Sequence, residues 1–175
     1  MSLIPGLSDN ARVLICGASR GIGLALCKAM LARDDVSRVC AVSRHARTAE
    51  GLLALAQAHG ERLVLLNCDA RDELALAALA SEVGHACPHL HLVISTLGIL
   101  HQEGSKAEKS LAQLDLSSLQ ASFATNAFAP ILLLKHLLPL LRNQPATFAA
   151  LSARVARSVT TDWAAGTAIA RAKRR

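Results

Sequence analysis

Three glycines within seven residues, in Gly17-Ala18-Ser19-Arg20-Gly21-Ile22-Gly23, follow directly on the apolar run Val13-Leu14-Ile15-Cys16. They lead at once into an Ala/Leu segment beginning Leu24-Ala25-Leu26. The order of strand, glycine turn and helix constrains the chain more than any other feature. Glycine permits the tight backbone path and leaves room for a ligand to approach the main chain. The free amides at the start of the helix attract an anion such as a pyrophosphate. A glycine cluster alone could be no more than a tight turn; with a strand before it and a helix after it, it reads as a dinucleotide-binding turn.

The same alternation continues downstream. Short apolar runs at 12–16, 38–42, 62–66, 90–95 and 146–151 read as strands. Ala/Leu segments of helical period at 21–32, 48–58, 72–83, 116–125 and 127–141 read as helices, with a bend expected at Pro130 or Pro139. The polar stretch 101–110 reads as a loop. Continuous apolar strands alternating with helices predict an α/β fold, a doubly wound parallel sheet (Rossmann-like) covered on both faces. At 175 residues and 52% hydrophobic content, the chain can build one sizeable core.

The spacing GxxxGxG in GASRGIG resembles the fingerprint of the short-chain dehydrogenase/reductase family, and other matches follow in that family's order. Gly17, Ser19, Arg20, Gly21, Ile22 and Gly23 would then form the cofactor turn. Asp69 and Ala70, in Asn67-Cys68-Asp69-Ala70, resemble the segment that contacts adenine; an Asp here could equally cap the next helix. Ser95-Thr96-Leu97-Gly98 stands where the family usually has NNAG, so Gly98 is retained while both asparagines are replaced. Asn126 resembles the family's helix Asn, which helps hold a water in the proton relay; the alternative is an Asn that breaks a helix. Ser152, in Leu151-Ser152-Ala153, matches the serine that orients the substrate carbonyl, a position where a simple turn serine is also common.

Cofactor choice follows from charge. The second strand ends Val42-Ser43-Arg44 with no acid to meet a ribose 2′-hydroxyl. Arg44 and Arg20 could converge on a 2′-phosphate while Ser43 donates a hydrogen bond, so NADP(H) is favoured over NAD(H). The resemblance implies a carbonyl/alcohol pair as substrate, with Ser152 and Asn126 on the catalytic side.

Active members also carry a YxxxK pair on the helix after the fifth strand. The tyrosine exchanges a proton with the substrate oxygen, and the lysine helps lower its pKa from about 10. This chain has no tyrosine, and Lys173 has no such partner. Residues 1–156 therefore read as an NADP(H)-binding Rossmann-like domain of about five strands, incomplete for want of the C-terminal strands and helices. Residues 157–175 read as a basic, non-family tail, and the chain itself is expected to be inactive; the alternative is a dinucleotide-binding pseudoenzyme or sensor without redox turnover. A frameshift near Val155 to Arg157 would explain the tail. When the codons are read by joining each third base to the next two, Asp162-Trp163 forces Leu and Trp163-Ala164 forces Gly. The other junctions permit a family-like continuation that includes YRASK. An open apolar edge would follow, with a low melting temperature and binding of the dye ANS. The helices that pair family members into homo-oligomers fall near the end of this chain, which makes assembly doubtful here.

Several function classes are set aside. Of the net charge of +6, +4 lies from Arg157 onward, where five basic residues face only Asp162, so the body has no basic face for nucleic acid. The apolar run 131–141 is broken by Lys135, His136 and Pro139, and residues 1–12 lack a signal-peptide pattern, so neither a membrane span nor secretion is expected and the chain is assigned to the cytoplasm. The five cysteines contain no CxxC pair and read as reduced and mostly buried. His85, Cys87, His89 and His91 alternate as metal ligands might, but are expected to form a solvated loop without metal.

Overall fold

The strand that precedes the glycines, β1 (Ala11–Cys16), is buried on both faces and lies at the middle of a five-stranded sheet. The computed structural model describes residues 10–100 and 110–152. The other strands are β2 (Val36–Ser43), β3 (Leu63–Asn67), β4 (Leu92–Ser95) and β5 (Thr147–Ala150). Their order across the sheet is β3-β2-β1-β4-β5, and every neighbouring pair is parallel. The α-helices among the described residues are α1 (Gly21–Leu31), α2 (Glu50–His59), α3 (Glu73–Ala86), α4 (Leu116–Phe123) and α5 (Ala129–Leu141).

Burial explains the unbroken apolar strands. Val13 and Ile15 of β1 face one way, into a core with Cys27 and Leu31 of α1 and Leu52 of α2. Leu14 and Cys16 face the other way, against Leu76, Leu79 and Val83 of α3 and Leu133 and Leu137 of α5. The first two crossovers thus cover one face and the later ones the other. The strand order reverses between β1 and β4, and the resulting crevice at the C-terminal ends of these strands is where open α/β sheets bind ligands.

Helix ends follow local chemistry. Asp72 caps α3, its carboxylate accepting from the amides of Leu74 (2.9 Å) and Ala75 (3.4 Å), a contribution of about 1 kcal/mol. The helix also runs to Ala86, beyond the expected end at residue 83. Instead of two helices divided near residue 126, α4 and α5 are joined by a π-helical turn, Ala124–Phe128. The extra residue in that turn keeps the helix continuous while pointing Asn126 inward. The combined run Leu116–Leu141 has the length and hydropathy of a membrane span. Within it, Ala129, Leu133 and Leu137 are buried in the core and Lys135 is ion-paired with Glu73 of α3.

The His85–His91 segment also departs from expectation. Only His85 and His89 are exposed; Cys87 is fully buried and His91 is 8% exposed. The His91 Nδ1 accepts the Arg12 amide at 3.0 Å where the β1 register shifts, and the His91 amide donates to the Arg12 carbonyl at 2.9 Å. This histidine is therefore buried and bonded to β1 just ahead of β4 rather than part of a solvated loop. Among the described residues, no group of three or more His, Cys, Asp or Glu is placed to hold a metal.

Candidate functional site

Because all five strands are parallel, their C-terminal ends share one edge of the sheet. The pairings Cys16 with Val42, Cys16 with Ser95, Ser43 with Asn67 and Ser95 with Ala150 bring the segments after β1, β2, β3, β4 and β5 to that edge.

At its centre the chain leaves β1 through Gly17, whose φ of +91° suits glycine. The amides of Gly17 and Ala18 both donate to the Val42 carbonyl, at 2.8 and 3.0 Å. A Cβ at Gly23 would overlap the Gly17 carbonyl, and one at Gly17 would overlap the Thr96 hydroxyl, so both positions are packed backbone to neighbour. Gly21 is different, with φ +54° and open space where a side chain would project. Helix α1 starts there without help: Arg20 is extended, makes no side-chain cap, and the first turn contains no acid. Its first amides are therefore available to an anion. Ser19 is half-buried, while Arg20 and Ile22 are exposed beside them.

Thr96 replaces an asparagine of the NNAG pattern, yet it is firmly engaged. Its hydroxyl donates to the carbonyls of Cys16 (2.9 Å) and Gly17 (3.2 Å), tying the end of β4 to the glycine turn. This tie could not be read from the sequence, because it depends on β4 lying beside β1.

On the β2–β3 side, the Cys68 amide donates to the Ser43 carbonyl at 2.9 Å. The Ser43 hydroxyl is buried and has no hydrogen-bond partner. Arg44 is exposed, on a loop anchored by Arg47, whose amide donates to Asn67 and whose Nε donates to the Leu65 carbonyl. Asp69 does not cap α3. Its carboxylate accepts a fork from Arg71, Nε at 3.0 Å and Nη2 at 2.6 Å. Those bonds hold the carboxyl below its usual range, and the charge of Arg44 adds to the effect. Ala70 beside it is buried.

On the β4–β5 side, Asn126 is 3% exposed and grips the backbone of Ile99 twice: its Oδ1 accepts the Ile99 amide and its Nδ2 donates to the Ile99 carbonyl, both at 2.8 Å. The π-helical turn thus fixes the segment containing Gly98, which is exposed. The Asn126 side chain is a clamp rather than a helix breaker. Ser95 has a buried hydroxyl without a partner, and the Leu151 amide donates to the Ser95 carbonyl at 2.9 Å. Ser152 follows, exposed, one step past that bond. The residues after it, including the basic stretch 157–175, lie outside the described residues.

The sequence profile described as short chain dehydrogenase matches residues 11–150, most of the chain. The chain belongs to the short-chain dehydrogenase family. It is 32% identical over 134 residues to a benzil reductase of Saccharomyces cerevisiae, an alignment covering 76% of this chain and 49% of that one. It is 34% identical over 131 residues to a norsolorinic acid ketoreductase of Aspergillus parasiticus, with 73% and 46% covered. It thus spans about half the length of these curated relatives. Among solved structures it resembles a carbonyl reductase from Pseudomonas aeruginosa in complex with NADP. There the TM-score is 0.80 at 30% identity, over 94% of this chain and 67% of that one.

Proposed function

We propose that this short-chain dehydrogenase chain is the dinucleotide-binding half of a reductase acting on a carbonyl/alcohol pair, with NADP(H) preferred to NAD(H). The observation that carries the proposal is the glycine turn at the β1/β4 crevice, with the uncapped start of α1 facing it. The residues present fit the cofactor: Gly21 leaves open space beside free amides, and the unpartnered Ser43 hydroxyl lies at the end of β2. The α1 amides would take the pyrophosphate, Asp69 and Ala70 would flank the adenine, and Arg44 with Arg20 would face a 2′-phosphate. Gly98, held by Asn126 through Ile99, would form the wall beside the nicotinamide ribose. When bound, the nicotinamide supplies or takes up the hydride. Ser152 would orient the substrate oxygen, but these 175 residues contain no phenol to exchange a proton with it.

The chain alone is therefore expected to bind cofactor without turnover, which also supports a pseudoenzyme or sensor reading. Fluorescence titration with NADPH and NADH tests both parts. NADPH should bind about tenfold more tightly, equivalent to about 1.4 kcal/mol, and Arg44→Ala should erase the gap. Binding of neither nucleotide would overturn the site. Turnover of simple carbonyl compounds, lost in Ser152→Ala, would overturn the claim of inactivity. For the tail we propose a frameshift near Val155 to Arg157; a shifted frame of the gene that is closed by stops or lacks YxxxK would exclude it.

A further inference from the structure

Cys40 and Cys87 are 47 residues apart in sequence, yet their sulfurs are 3.7 Å apart in the core on the α3/α5 side of the sheet. Cys40 lies within β2, and Cys87 closes the last turn of α3, its amide donating to the Val83 carbonyl. Arg38, two residues before Cys40 in the same strand, donates through Nη1 to the Ala86 carbonyl at 2.7 Å. A guanidinium therefore holds the end of α3 against β2, beside the two sulfurs.

The two thiols are unequal. The hydrogen bond between the two sulfurs holds the Cys87 thiol below its ordinary range, against the effect of burial and with help from the charges of Arg38 and Arg12. The same bond, with burial, pushes Cys40 up. One sulfur is thus disposed to be a thiolate while the other stays a thiol within reach. Cys16 and Cys68 share the core of this pair, and Cys27 lies in the core on the other face of the sheet. Burial makes all three less reactive: it pushes Cys16 and Cys27 up to about 12 and Cys68 up to about 11. Pro88 and His89 directly after Cys87 are exposed, as is His85 before it. Local opening of the end of α3 would bring Cys87 to solvent while Cys40 stays in its strand.

We propose that Cys40 and Cys87 are a dithiol modification site that closes reversibly to an intramolecular disulfide when met by hydrogen peroxide. The Cys87 thiolate attacks the peroxide: an S–O bond forms, the O–O bond breaks, and the leaving hydroxide takes a proton to become water. Cys40 then attacks the Cys87 sulfur: the S–S bond forms, the S–O bond breaks, and a second water leaves with the Cys40 proton. Two thiols are oxidised by two electrons and one peroxide is reduced to two waters. The site is independent of the cofactor reading.

The test is to expose the reduced 175-residue chain to hydrogen peroxide, quench it, read the intact mass of one portion, and alkylate the other portion for a peptide map. The native chain should lose about 2 Da, with Cys40–Cys87 as the cross-linked peptide, and dithiothreitol should reverse the loss. Cys87→Ser should abolish the loss, Cys40→Ser should instead gain about 16 Da at Cys87, and a Cys16→Ser/Cys68→Ser double variant should still lose about 2 Da. The same oxidation in guanidinium should give mixed pairings. The wild-type peptide map decides the matter even where a variant fails to fold. The proposal is overturned if the native chain gives the mixture seen in guanidinium, shows no loss under excess peroxide, or still loses about 2 Da as Cys87→Ser.

Discussion

Strands β1 and β5 belong to one parallel sheet, but their surroundings differ. β1 is paired on both edges, and Val13, Leu14 and Ile15 are fully buried between two helical layers. β5 pairs with β4 alone among the described residues; Thr147 and Ala150 are exposed and Phe148 and Ala149 only half-buried. The candidate site spans this difference. Its glycine turn, proposed to face the phosphates, leaves β1 in the closed interior of the sheet, whereas Asp69 follows β3 at the edge opposite β5. Ser152, proposed for the reacting end, follows the marginal strand β5, while Gly98 follows β4, which is paired on both edges. The proposed phosphate contacts at the glycine turn thus rest on a closed core, while the proposed substrate contact at Ser152 rests on a half-buried edge strand.

The contrast is tested most strongly by core deletions. Leu14→Ala should cost about 4 kcal/mol, since a fully buried leucine leaves a cavity between two layers. Phe148→Ala, half-buried on β5, should cost under about 2 kcal/mol despite the larger side chain. Equal losses in urea unfolding would remove the distinction. Gly23→Ala comes next, at about 3 kcal/mol, because the added methyl meets the Gly17 carbonyl, which cannot move without undoing the turn. NADPH titration should show binding lost in the same variant. Asn126→Ala should cost about 2 kcal/mol by leaving the Ile99 amide and carbonyl unpaired. Thr96→Val should cost about 1 kcal/mol and loosen the turn; unchanged NADPH affinity in both variants would mean that the β4 segment does not shape the cofactor site.

The smallest expected effect is one of pH. Burial holds His91 below its ordinary pKa of 6.5, with the charges of Arg12 and His89 adding to the shift. On acidification the unfolded chain takes up the proton first, so this contribution to stability is complete above about pH 6.5 and is lost as pH falls through the lower folded value. His91→Asn retains an acceptor for the Arg12 amide but does not titrate. It should flatten the slope of stability between pH 7 and pH 5, on the order of one proton's worth, measured by urea unfolding at each pH.

Much of this architecture could be read along the chain. The strand–helix alternation was legible because burial on both faces demands unbroken apolar strands, and α1 because the glycines leave one path from strand to helix. Less was legible where a residue's partner lies far away in sequence. Asp72 rather than Asp69 caps α3, a difference of one helical turn that an Asp-rich segment leaves open. His91 looked like part of a solvated loop because its acceptor role needs Arg12, 79 residues away. The π-helical turn at Asn126 has no local signature, since the residue is drawn inward by Ile99 rather than by its neighbours in the helix.

The sequence by itself determined the parallel α/β alternation, the place of the glycine turn and the absence of a phenol, because each depends on local periodicity, backbone freedom or composition. Only the tertiary structure decided that Thr96 holds the turn, that Asn126 clamps the β4 segment and that Cys40 meets Cys87. Those contacts depend on the strand order β3-β2-β1-β4-β5 and on which helix covers which face. Both are set by the packing of the whole core and are not carried by any one segment.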